Sequence, residues 1–191
     1  MVLEDRNTID KKIVVHGKDA FGEVYDYYFP RIYNFIYARV GNRDDADEIV
    51  SVVFEKAFSR LDTYNSQYAS FSTWLYAIAK NTIRNFFRVK KIRTFVDIDD
   101  HIEKLQDNTN DMDHKMVQNE TNDHLMKALN KLGDREKEVV SLKFWGALSN
   151  KEIAKVTGLG NSNVGVILHR SVNKLRNHMT ESEDDKESFE K

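Results

Sequence analysis

Only one proline, Pro30, and eight glycines occur among the 191 residues of this chain. A sequence so poor in the two strongest breakers of regular structure is suited to long helices, and a turn-rich β architecture is disfavoured. With 40% hydrophobic residues it can also bury a real core. The expected class is therefore all-α, and the spacing of the apolar residues shows where the helices lie.

Phe21, Val24, Tyr25, Tyr28, Ile32, Phe35 and Ile36 recur at helical spacing and predict one helix, bent at Pro30. Gly41-Asn42-Arg43 supplies a turn, Asp44 or Asp45 a cap, and Ala46, Ile49, Val50, Val53, Phe54 and Ala57 a second stripe. After a polar loop from Asp62 to Ser70, Ser70 or Ser72 can cap a third helix. Its inward face carries Phe71, Leu75, Ile78, Ala79, Thr82 and Phe86, and Asn81, Arg84 and Arg88 lie on the other side. Three such helices bury their stripes against one another as a first domain over 21–94, preceded by an extension over 1–20.

Residues 95–121 are acidic and amide-rich, with few apolar side chains, and read as a linker. The apolar pattern resumes at Leu125, Ala128, Leu129 and Leu132, and Asp134 can cap a helix holding Val139, Val140, Leu142 and Phe144 that ends at Gly146. Ser149 and Glu152 form a capping box before Ile153, Ala154 and Val156, and Gly158 closes that short helix. Val164, Leu168, Ser171, Val172 and Leu175 then mark another helix. A short helix, a tight turn and a second helix make up helix-turn-helix grammar, which places a second domain over 122–178. The acidic residues 179–191 read as a disordered tail.

The net charge is −2, but the two signs are segregated. Lys80, Arg84, Arg88, Lys90, Lys91 and Arg93 crowd one stretch, and seven carboxylates crowd Asp97 to Asp113. Affinity for phosphate comes from such clusters rather than from the total. The absence of cysteine excludes disulfides and thiolate zinc sites and suits a reducing compartment. The charged N-terminus and the lack of a spanning apolar run predict no secretory signal and no membrane insertion, hence the cytoplasm. His101, His114 and His124 read as solvated side chains, so no metal and no cofactor is expected.

Three segments resemble the sigma-70 family in their wording: Asp45-Ala46-Asp47-Glu48-Ile49-Val50 through Phe54, Phe71-Ser72-Thr73-Trp74-Leu75-Tyr76 through Asn81, and Leu148-Ser149-Asn150-Lys151-Glu152-Ile153-Ala154. Their order and spacing are similar to the bacterial extracytoplasmic-function branch, whose regions two and four would match 21–94 and 122–178. The resemblance implies a non-enzymatic sigma factor that binds core RNA polymerase and directs initiation by recognising minus-10 and minus-35 elements and melting the promoter. It implies docking on the β′ clamp helices through Asp47, Glu48, Ser51 and Glu55, a contact with the β flap, and an anti-sigma factor as a further partner. Ser51 and Val52 replace the glutamine and glutamate usual at those positions, so docking is expected to be weaker or differently tuned.

By the same resemblance the loop from Thr63 to Phe71 captures a base flipped out of the minus-10 element, and the helix after it follows the unwound strand. Stacking, edge hydrogen bonds and basic groups suit that task and select Tyr64, Asn65, Lys80, Asn81, Arg84 and Arg88. Trp74 and Phe86 are read as core. The helix from Asn161 to Arg176 is similar to the one that enters the minus-35 major groove, with Ser162, Asn163, Val166, His169, Arg170 and Lys174 as contacts. Gly165, Val166 and Ile167 stand where the family commonly has basic or small polar residues, which shifts readout toward apolar contacts and DNA shape.

Two other readings use fewer of these features. An independent helix-turn-helix regulator would need only Ser149 to Lys174 and leaves the first domain without a role. A metal-dependent nuclease would use Asp44, Asp45, Asp47 and Glu48, but carboxylates at a helix N-terminus are ordinary caps and no nucleophile accompanies them.

Overall fold

The computed structural model describes residues 6–96 and 119–187, with side chains over 6–92 and 125–179. The acidic segment 97–118, with His101 and His114, and the last four residues, 188–191, lie outside the described residues. Every regular element among the described residues is helical.

Helix α2 (Phe21–Val40) runs unbroken through Pro30. Tyr28 and Ile32, on either side of the proline, are fully buried, so packing holds the segment helical despite the lost N–H. Gly41 ends α2 with φ 72°, its N–H donating to the Tyr37 carbonyl at 2.9 Å. Helix α3 (Arg43–Ser59) is capped by Asn42, whose Oδ1 accepts from the Asp45 N–H at 2.9 Å. The expected cap at Asp44 or Asp45 is thus corrected to Asn42, and the two aspartates occupy the first turn, where the helix dipole favours them.

Helix α4 (Phe71–Val96) starts at Ser70, whose Oγ accepts the Thr73 N–H at 3.4 Å. Its Phe71, Leu75 and Ala79 pack with the stripes of α2 and α3 in one apolar cluster. The N-terminal extension is no appendage: α1 (Arg6–His16) buries Ile9 and Ile13 in that cluster. Asp10 accepts hydrogen bonds from the Tyr28 hydroxyl and from the Ser72 N–H at 3.4 Å, and so ties α1 to α2 and α4.

The second domain comprises α5 (Asn119–Asn130), α6 (Asp134–Phe144), α7 (Asn150–Thr157) and α8 (Asn161–Glu187). Gly133, not Asp134, is the N-cap of α6, and its N–H donates to the Glu136 carboxylate at 3.1 Å. The predicted capping box of α7 is present: Ser149 Oγ accepts the Glu152 N–H at 3.3 Å, and Glu152 Oε2 accepts the Ser149 N–H at 2.8 Å. The acidic tail is helical through Glu187, against the expected disorder from 179. An existing helix extends at low cost through residues that include neither glycine nor proline.

Sequence reasoning joined the two domains by an acidic linker and said nothing of a contact between them; in the structure they pack on each other. Val139, Leu142, Leu148, Ile153, Val156 and Val164 of the second domain belong to the same buried cluster as the first domain's core. Helix α7 lies against α4, and α6 against α2. At this seam a Cβ on Gly146 would come within 2.5 Å of the Leu142 carbonyl and 3.2 Å of the Tyr76 ring, so close approach requires glycine there.

Candidate functional site

Helix α3 divides cleanly by face. Ile49, Val50, Val53 and Phe54 are buried, whereas Asp47, Glu48, Ser51 and Glu55 are all exposed. The spacing of four from 47 to 51 to 55 puts three of these side chains in one row, with Glu48 beside it. Ser51 spends its hydroxyl on the helix itself, donating to the Asp47 carbonyl at 2.9 Å. The row therefore offers carboxylates to a basic partner and lies on an element that does not touch the second domain in any substantial way.

The loop before α4 is ordered by its own side chains. Tyr64 is half-buried, its ring 5.4 Å from both Phe71 and Trp74, and its hydroxyl donates to the Ala69 carbonyl at 3.2 Å. Burial, helped by the charge of Asp10, pushes its phenol up to about 12. Asn65 is exposed and Oδ1 accepts the Gln67 N–H at 2.9 Å, closing a turn. With α1 this loop bounds a recess of about 510 Å³ lined by Val14, Gly17, Thr63, Tyr64 and Asn65. Tyr68 stands out of the loop at 78% exposure. Trp74 and Phe86 are partly buried against the core cluster.

Along α4 the predicted residues separate. Asn81, Arg84 and Arg88 are exposed, and Arg88 Nη2 donates to Asn85 Oδ1 at 2.9 Å. Lys80 is turned toward the second domain, where Nζ donates to the Val156 and Thr157 carbonyls, each at 3.0 Å, at the C-terminus of α7. Arg84 borders a recess at the seam together with Arg39, Lys80, Phe87 and Glu138.

On α8, Ser162, Asn163, Val166, His169, Arg170 and Lys174 are all exposed, and their spacing keeps them on one side while Val164, Ser171 and Leu175 are buried. Lys174 Nζ pairs with Glu136 Oε1 at 2.7 Å on the surface. Gly165 is half-buried, and a Cβ there would meet only the Asn150 amide at 3.8 Å. The opposite side of this domain opens an apolar groove of about 530 Å³ lined by residues that include Leu129, Val140, Phe144, Trp145 and Leu175. Phe144 is 64% exposed at its rim.

Sequence reasoning missed the group that joins the two domains. Glu152, read only as a capping residue, also accepts from the Ser70 hydroxyl at 2.8 Å and forms an ion pair with Arg6 at 3.1 Å. Burial works to raise its pKa, but the bonds from the Ser149 backbone and hydroxyl, from Ser70 and the charge of Arg6 outweigh it and hold the carboxyl below its ordinary range. Arg39 of α2 and Glu138 of α6 form a second bridge at 3.5 Å, with both side chains mostly buried. Among the described residues no group of three or more His, Asp or Glu side chains is arranged to hold a metal ion.

The sequence matches two family models, sigma-70 region 2 over residues 24–92 and sigma-70 region 4 over residues 123–175. It is 30% identical to the RNA polymerase sigma factor YlaC of Bacillus subtilis over 172 residues, covering 88% of this chain and 96% of that protein. It is also 30% identical to the ECF RNA polymerase sigma factor BldN of Streptomyces coelicolor over 157 residues, 82% of this chain and 59% of BldN. In fold it is similar to the sigma factor RpoE solved with the anti-sigma factor NepR from Bartonella quintana, with a TM-score of 0.66, 19% identity and coverage of 84% of this chain and 96% of that one. CnrH, solved with the cytosolic domain of CnrY, gives a TM-score of 0.63 at 20% identity over 90% of this chain and 94% of CnrH. The helical fold of the described residues, the two matched regions in order and the 30% identity to YlaC over 88% of this chain together mean that this chain belongs to the sigma-70 family, as an RNA polymerase sigma factor of the extracytoplasmic-function type.

Proposed function

We propose that this sigma factor divides its work among three sets of residues, exposed on α3 and α8 and partly covered at Tyr64 and Lys80. Asp47, Glu48, Ser51 and Glu55 dock on the β′ clamp helices; Tyr64, Asn65, Lys80, Asn81, Arg84 and Arg88 engage the minus-10 element; Ser162, Asn163, Val166, His169, Arg170 and Lys174 engage the minus-35 element. The observation that carries this reading is the separation of faces on α3 and α8, where the apolar stripe is buried and the polar row is left to solvent. Buried residues explain the fold; the exposed rows add only surface bonds to it, such as Lys174–Glu136, and face solvent where a partner can reach them.

The recess beside Tyr64 and Asn65 suits an extruded base, with an aromatic wall and an amide edge on one side. The apolar groove with Phe144 at its rim suits an apolar helix face, and we assign it to the β flap. The working regions are 21–94, with α1 packed on it, and 122–178, joined by the linker 95–121, into whose ends α4 and α5 run by two or three residues. The acidic linker serves either as a connector through the polymerase or as a tether. The Bartonella complex supports an anti-sigma factor as a further partner. The chain has no enzymatic activity of its own in this reading, needs no cofactor and works in the cytoplasm. No described helix is long and apolar enough to cross a membrane.

The test is binding of purified full-length protein to bacterial core polymerase by gel filtration. Glu48→Arg should abolish co-elution and Phe144→Asp should weaken it, both with unchanged helicity. Wild-type affinity in both variants would remove the docking assignments.

A further inference from the structure

Lys80, Ile83, Arg84 and Phe87 follow one another at helical spacing on α4 and line one recess of about 260 Å³. Arg39 of α2 and Glu138 of α6 complete the lining. Ile83 is buried and forms the floor, whereas Phe87, 42% exposed, stands at the rim. Three cations therefore face this space and one carboxylate answers them. A concave cluster of one sign between apolar walls concentrates anions.

Each of the three cations also has donors to spare. Arg39 and Glu138 are mostly buried and lie 3.5 Å apart, longer than an ordinary N–H···O bond. One carboxylate at that distance leaves the five N–H donors of a guanidinium with capacity for a second anion. Lys80 gives two bonds to the Val156 and Thr157 carbonyls, and an ammonium has a third to give. Arg84 is exposed and pairs with no carboxylate among the described residues. Lys137, beside Glu138 on α6, registers the crowding: burial lowers its amine, Asp134 opposes this, and the charge of Arg39 adds to the lowering. Folding does not account for the arrangement. Arg39 and Glu138 suffice as a bridge between α2 and α6; Arg84 adds like-charge repulsion to it, and Phe87 leaves a ring in water.

We propose that this recess binds a mononucleotide, with the phosphate held between Arg39 and Arg84 and the base stacked on Phe87. Guanidinium forks match phosphate oxygens, and every base offers a π-face to an aromatic ring. The volume is below the roughly 300–1,000 Å³ of sites for drug-sized ligands, so phosphate and sugar fill the recess and the base lies over its rim. Glu138 faces the same space and repels the phosphate, so it limits the affinity that Arg39 provides. The inference does not depend on the minus-10 assignment of Arg84, which stays in place in every variant below.

The test is isothermal titration calorimetry of the full-length protein with adenosine monophosphate and with inorganic phosphate, at constant ionic strength. The nucleotide should bind about tenfold more tightly than inorganic phosphate, the factor that one base stack supplies. Phe87→Ala should erase that advantage and leave inorganic phosphate unchanged. Arg39→Gln should weaken both ligands at least about tenfold, whereas Glu138→Gln should tighten both. These two variants break the same ion pair, so a merely structural role would move them in the same direction. Lys151→Gln removes one charge at an exposed site outside the recess and should change neither ligand.

A wild type that binds neither ligand at millimolar concentration would overturn the proposal. Weakening by Arg39→Gln and Glu138→Gln alike would overturn it too, because the pair would then only hold the helices. Equal affinity for the two ligands, or a nucleotide advantage that survives Phe87→Ala, would refute the nucleotide assignment. A random-sequence single-stranded DNA pool that depends on Arg39 and Glu138, with no binding of the free nucleotide, would reassign the recess to a DNA phosphate.

Discussion

Glu152→Ala should destabilise the protein by about 2–4 kcal/mol at neutral pH, more than expected for a partly exposed glutamate. Loss of the capping box alone costs ~1 kcal/mol. Arg6 and Glu152 are 23% and 17% exposed, so their pair lies between a surface bridge of roughly 0–1 kcal/mol and a buried one, whose breaking costs ~3–5 kcal/mol. The Ser70 hydroxyl would also lose its charged acceptor. These bonds share one carboxylate, so their losses overlap and do not simply add. Glu152→Gln keeps an acceptor and should cost about half as much. The assay is urea unfolding followed by far-UV circular dichroism across a pH series. The folded pKa of Glu152 is lowered, so its contribution is complete above the ordinary carboxylate pKa and disappears as pH falls through the lower folded value. The gap between wild type and Glu152→Gln should therefore shrink below about pH 4. Asp10, whose pKa burial raises, runs the other way, but it is present in both proteins and largely cancels in the difference. A loss below about 0.5 kcal/mol for Glu152→Ala, or a gap that persists unchanged into strong acid, would refute the hub role.

Three other outcomes follow from the same geometry. Asp47→Arg, at an exposed position, should leave stability within about 0.5 kcal/mol of wild type while reducing affinity for core polymerase at least about tenfold, read by fluorescence anisotropy. Tyr64→Ala removes a ring packed on Phe71 and Trp74 and should cost ~1–3 kcal/mol of stability; Asn65→Ala, at an exposed site, should reduce permanganate reactivity of melted promoter thymines with little loss of stability. Lys174→Ala should weaken holoenzyme binding to duplex minus-35 DNA about equally across sequences and lower the salt slope by ~1, whereas Val166→Ala should change sequence preference instead.

How much of this was visible in the sequence depended on whether a residue had one environment or two. The stripes of α3 and the capping box of α7 could be read directly, because one set of positions meets the core and one serine meets one glutamate. The α3 cap was misplaced by two or three residues, since Asn42, Asp44 and Asp45 are all good caps and only the backbone decides among them. Helix α1 was passed over because it places just two buried isoleucines, Ile9 and Ile13, in a strongly charged segment. The seam was missed although α4 held the clue. Tyr76 and Ile83 lie off the inward stripe of Phe71, Leu75 and Ala79, and a helix apolar on two sides packs against two neighbours. The roles proposed for Asp47 and Arg170 came from family wording, because an exposed charge does not by itself name its partner.

The most direct test of the sigma assignment is transcription by core polymerase, with and without the purified full-length chain, on fragmented DNA from the source genome. Addition of the protein should produce new, discrete start sites preceded by a shared pair of upstream elements, and Glu48→Arg and Arg84→Glu should each abolish them. An identical set of transcripts with and without the protein, together with specific duplex binding by the chain alone, would contradict the account and leave an independent DNA-binding regulator in its place.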